Sequence, residues 1–124
     1  IEIRAHNSKT RLRRLITMTE NLRQWLRPFA KPSGPVLPFV ILNNQFQKFA
    51  RKAKVPWKRN GLRHSFISYR IADTNEVGKV AYEAGNSPAI IQRHYLKVVT
   101  PRQAKAWFSI VPKSGAPVPA PAPD

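Results

Sequence analysis

Four short stretches of this 124-residue chain hold side chains able to do chemistry on an anion. Arg63 lies in Asn60-Gly61-Leu62-Arg63-His64-Ser65-Phe66, and Asn86 lies in Ala84-Gly85-Asn86-Ser87, 23 positions later. Tyr95, in His94-Tyr95, follows Asn86 by nine positions, and Lys9 sits far upstream in Ser8-Lys9-Thr10-Arg11. A guanidinium presents a planar fork to an oxyanion. A phenol, with a pKa of about 10, is a nucleophile once it loses its proton. A lysine ammonium can donate a proton to a leaving group. Other chemistries drop out. With no Cys, disulfides, thiolates and Cys-based zinc sites are excluded. The six acidic residues are scattered, and His6, His64 and His94 have no carboxylate partner in a ligand pattern. No Ser lies in a nucleophile elbow, and the Gly residues form no phosphate loop. The chain is expected to use neither metal nor cofactor.

Charge indicates the partner. There are 22 Lys and Arg against 6 Asp and Glu, a net +16 with a pI near 11.4. An apolar fraction of 42% is ordinary for a globular protein and argues against disorder throughout. Such a charge repels itself unless a polyanion neutralises it, and nucleic acid fits first. Residues 1–60 carry 14 basic and 2 acidic side chains, a net +12, whereas residues 61–124 carry 8 and 4, a net +4. No apolar run approaches the roughly 20 residues of a membrane span. Ile1-Glu2-Ile3-Arg4 is not a signal peptide pattern, so no membrane partner is expected.

The elements that must position these residues follow from periodicity. Ile1 to His6 alternates and reads as a strand, His6 to Lys9 as a turn, and Leu12 to Met18 as the returning strand. Thr17-Met18-Thr19-Glu20 reads as a capping box before a helix with Leu22, Trp25, Leu26 and Phe29 on one face. A second helix is predicted from Asn43 or Asn44 to Ala53. Its inward set is Phe46, Phe49, Ala50 and Ala53, and its outer face carries Lys48, Arg51, Lys52 and Lys54. Three short helices follow. The first, Gly61 to Ala72, has Leu62, Phe66, Tyr69 and Ile71 as its apolar set. The second runs from Thr74 or Asn75 to a C′ glycine at Gly85, burying Val77, Val80, Ala81 and Ala84. The third opens with Ser87 as N-cap and Pro88 at N1, and Thr100-Pro101 repeats that pairing for a last helix through Trp107 and Phe108. The fold class is thus mainly α (α+β), a small helical domain with an N-terminal β-hairpin. Residues 1–112 form the domain and 113–124 a Pro/Ala-rich flexible tail.

Taken in order and at these separations, the four stretches resemble the catalytic domain of tyrosine recombinases, the phage-integrase family. That family's pattern is H-x-L-R-H-[ST]-F, then G-[HW], then the nucleophilic Tyr, with a catalytic Lys on an earlier β-hairpin turn. The resemblance covers residues 1 to 110 and implies the DNA breaking-rejoining fold of the integrase catalytic core. It implies that Tyr95 attacks a DNA phosphodiester to form a 3′-phosphotyrosine, that Arg63 clamps the phosphate, and that Lys9 protonates the leaving 5′ oxygen. It further implies double-stranded DNA as partner, a bacterial cytoplasm or nucleoid setting, and self-association on DNA through the C-terminal helix. For that last role Ala104, Trp107, Phe108 and Ile110 form an apolar cluster, although packing within the chain explains them equally.

The departures define a second reading. Asn60 stands at the family's first His and Asn86 at its His or Trp, and asparagine donates hydrogen bonds but is neither acid nor base. The family's first Arg and the acidic residue after it precede the hairpin at which this chain opens. The expectation is therefore a C-terminal catalytic part that does not recombine DNA alone, since losing such a donor costs orders of magnitude in rate. The alternative is a catalytically degenerate, recombinase-derived DNA-binding module. A basic ribosomal-type protein fits the charge but not the spacing. Asn86 is either a phosphate contact or a left-handed turn residue, and Lys9 either an acid or one more cation beside Arg11, Arg13 and Arg14. His64 reads as a packed core histidine holding Arg63, and His94 as a helix-end neighbour of Tyr95.

Overall fold

The computed structural model describes residues 1–8, 11–34, 42–96 and 98–113. Among these it is mainly helical, with six α-helices and one two-stranded antiparallel sheet. Strands β1 (Glu2–Ile3) and β2 (Arg14–Leu15) pair Glu2 with Leu15 and Ile3 with Arg14. The hairpin is shorter than its alternation predicts, because Ala5–Asn7 turn into a 3₁₀ segment. Helix α1 spans Glu20–Leu26, and a 3₁₀ turn around Pro28 (Arg27–Phe29) ends it. The expected capping box is not formed: Thr19 is the N-cap but makes no side-chain capping bond. Glu20 pairs instead with Arg23 and Gln24, whose hydrogen bonds hold its carboxyl below the usual range.

Helices α2 (Leu42–Lys52), α3 (Gly61–Thr74), α4 (Val77–Ala84), α5 (Pro88–Tyr95) and α6 (Pro101–Phe108) follow. In α2 the predicted inward face is only partly covered. Ala50 is buried and Phe46 stacks on Trp57 at 5.3 Å, but Phe49 is 56% exposed and Ala53 is exposed. Periodicity places residues on a face; it cannot supply a neighbour to cover that face. Leu62, at the first turn of α3, is exposed for the same reason.

The core lies among α3, α4 and α5. Ile67 and Ile71 of α3 meet Val80 and Ala81 of α4 and Ile91 and Tyr95 of α5, with Phe66, Val77 and Ala84 around them. Helix α6 packs on α3 within the same chain: Ala104 is fully buried and Trp107 stacks on Tyr69 at 4.3 Å. Beside it, Arg70 of α3 forks onto Glu83 of α4 at 3.0 and 3.1 Å and reaches Asp73 at 2.8 Å. Its guanidinium also lies 5.9 Å from the centre of the Phe108 ring. The Glu83 carboxylate holds Arg70 protonated more firmly than an ordinary arginine, against the opposing effect of burial.

The caps of the last two helices are those the sequence predicts. Ser87 accepts from the Ile90 amide at 3.4 Å. Thr100 and Gln103 form a full capping box behind Pro101. Helix α4 begins later than expected, at Val77, because Asn75 adopts the left-handed conformation (φ 55°) and closes α3 first. Gly85 ends α4 at φ +66°, and the Asn86 amide returns to the Ala81 carbonyl at 2.9 Å. The hairpin is fastened to this same turn. Arg14 donates to the Tyr82 carbonyl at 2.9 Å, and the Leu15 amide donates to the Tyr82 hydroxyl at 3.0 Å. The Arg14 guanidinium lies over Gly85 so closely that a Cβ there would collide with it. No described helix is long and apolar enough to cross a membrane.

Candidate functional site

Asn60 opens α3 from a left-handed conformation (φ 56°) and makes no side-chain capping bond. One turn of helix then presents Arg63 and His64 in succession. Each reaches a different partner. Arg63 Nη2 donates to Asn86 Oδ1 at 2.5 Å, so the two residues separated by 23 positions meet across the start of α3 and the α4–α5 turn. His64 Nδ1 lies 2.7 Å from the Tyr95 hydroxyl, with the two rings 5.5 Å apart and tilted by 22°. Tyr95 ends α5, and its ring is buried in the core at 6% exposure. Arg63 and His64 are exposed, and Asn86 is half-buried.

Of the five residues singled out from sequence, Asn60, Arg63, Asn86 and Tyr95 are thus placed, and Lys9 lies outside the described residues. Arg63 and Asn86 touch; Tyr95 touches His64, the neighbour of Arg63 in sequence; Asn60 begins the helix that carries both Arg63 and His64. Asn86 is not the left-handed residue of its turn, a role taken by Gly85, and its side chain engages Arg63. His64 is not a packed core histidine holding Arg63. It is exposed and engages Tyr95. Periodicity sets His64 on the face of Ile67, Ser68 and Ile71, three, four and seven positions on, and so favours burial; His64 is exposed in the first turn of α3. What the sequence could not supply is the placement of the C-terminal end of α5 beside that position.

Positive charge continues around the Arg63 side of the site. A groove of about 690 Å³ runs beside the start of α3, lined by Trp57, Arg59, Asn60 and Arg63 with Gln47 of α2. The Phe46–Trp57 stack ties α2 to this loop, and α2 turns Lys48, Arg51 and Lys52 to solvent. Such an array is suited to a polyanion backbone, where several phosphates are met at once. Among the described residues no group of three or more His, Cys, Asp or Glu is placed to hold a metal ion. No known protein family matches the chain, and neither a curated protein nor a solved structure matches it.

Proposed function

We propose that this chain binds double-stranded DNA as the C-terminal part of a tyrosine-recombinase catalytic domain, with the integrase-core fold, and that Tyr95 forms the 3′-phosphotyrosine when an Arg-bearing segment completes the site. The observation that supports this reading best is the contact between Arg63 and Asn86. The family pattern asks two residues far apart in sequence to serve one phosphate, and here they are within hydrogen-bond reach of each other. Phosphoryl transfer needs oriented positive charge more than it needs a metal, and Arg63 with Arg59 supplies it.

The test has two parts. Duplex DNA should bind the chain with an affinity that falls steeply with salt, because each neutralised phosphate releases counterions. With a segment bearing the family's first Arg supplied, a nicked suicide substrate should trap a covalent protein–DNA adduct that Tyr95→Phe does not form. Salt-independent binding, or equal adduct from Tyr95→Phe, overturns the proposal. Salt-dependent binding with no adduct favours the second reading, a degenerate DNA-binding module, which Asn60 and Asn86 support because neither side chain moves a proton. Self-association on DNA belongs to the first reading. With α6 docked within the chain, Ile110 and Val111, 55% and 42% exposed, are the apolar residues it would use.

A further inference from the structure

We propose that His64 is the proton acceptor for Tyr95, so that the two form a nucleophile–base pair directed at phosphoryl groups; this rests on the recombinase reading but concerns a residue which that family's pattern does not make a base. Tyr82 and Tyr95 differ in what their hydroxyls meet. Tyr82 uses its hydroxyl structurally, accepting from the Leu15 backbone amide at 3.0 Å. The Tyr95 hydroxyl meets an imidazole nitrogen at 2.7 Å. With its proton on Nε2, neutral His64 offers Nδ1 as an acceptor and can take the phenolic proton, which the neutral amide of Asn60 cannot. Position supports the exchange of roles. His64 stands one turn beyond Asn60 on α3, its amide bonded to the Asn60 carbonyl at 2.9 Å. Burial of the Tyr95 ring fixes the nucleophile, while exposure of His64 lets the proton pass on to water.

The step balances without a metal or an oxidant. The O–H bond of Tyr95 breaks and its proton goes to His64 Nδ1. The Tyr95 oxygen then bonds to phosphorus, and the bond from phosphorus to the leaving 5′ oxygen breaks. That oxygen takes its proton from water.

The experiment uses the 124-residue chain itself and diisopropyl fluorophosphate, whose fluoride leaves without needing a proton. The adduct is located by peptide mass mapping, with circular dichroism to establish that each variant is folded. Tyr95 should be labelled before Tyr82, although Tyr82 is 48% exposed and Tyr95 6%. General-base assistance is commonly worth about 10²-fold or more, so His64→Gln should slow labelling of Tyr95 by that factor. In His64→Ala, added imidazole should restore the rate, which a purely structural role would not allow. Labelling of Tyr82 first, or a Tyr95 rate unmoved by His64→Gln, overturns the proposal. Because no DNA is involved, failure to form a DNA adduct with Tyr95 labelling intact counts against the recombinase reading alone.

Discussion

Residues 1–60 and helices α3 to α6 are built on different principles. The later region buries a cluster of six side chains, caps α5 and α6 with side-chain hydrogen bonds and pairs Arg70 with Glu83 inside. The earlier region carries a net +12, yet Ala50 is its one buried hydrophobic residue among those described. Leu12, Leu15, Trp25 and Phe49 are each at least 45% exposed. Buried core and excess positive charge are thus carried by separate parts of the chain. Unpaired cations cannot also be sequestered in a core, because burying an unpaired charge costs more than packing returns.

The two regions differ most at Arg70. Arg70→Ala leaves Glu83, with a side chain 6% exposed, as an unpaired buried carboxylate, and urea unfolding should show a loss of about 3–5 kcal/mol. An unchanged midpoint would mean the helical region does not depend on its buried ion pair. Next in size is Gly85→Ala. A non-glycine residue in the left-handed region costs about 1–2 kcal/mol, and the added Cβ would also push Arg14 off the turn. Hydrogen exchange should then quicken at the Leu15 amide, which the Tyr82 hydroxyl holds. Thr100→Ala removes the side-chain arm of a capping box and should cost about 1 kcal/mol, read as a lower thermal midpoint. Smallest in stability is Lys48→Gln/Arg51→Gln/Lys52→Gln on the exposed face of α2. Its unfolding free energy should stay within about 0.5 kcal/mol, while the salt slope of DNA binding should shrink by about 0.9 for each phosphate that the variant no longer neutralises. A large stability change there would erase the distinction between the two regions.

How much of this was legible in the sequence follows the range of the interaction involved. Ser87-Pro88, Thr100-Pro101 and Gly85 announce helix ends because capping is decided within a few residues. The Arg63–Asn86 contact was legible only through a family pattern of spacing. The Arg14–Tyr82 bond and the Arg70–Glu83 pair, 68 and 13 positions apart, carry no local mark, since their geometry exists only after the helices have packed. The Thr17–Glu20 box misled because the helix starts at Glu20 itself, and a carboxylate there has basic and amide partners one turn on, at Arg23 and Gln24. Phe49 and Leu62 misled because an amphipathic pattern implies a partner without showing that one is present.

The fastening of Arg14 over Gly85 has a consequence for how this protein can vary. The long side chain passes over a turn backbone that lacks a Cβ, so Gly85 cannot gain one without Arg14 moving. A graft that replaced the hairpin while keeping the α4–α5 turn would lose the bond to the Tyr82 carbonyl unless an arginine arrived at position 14 with it. Moving the hairpin and the turn together keeps this fastening.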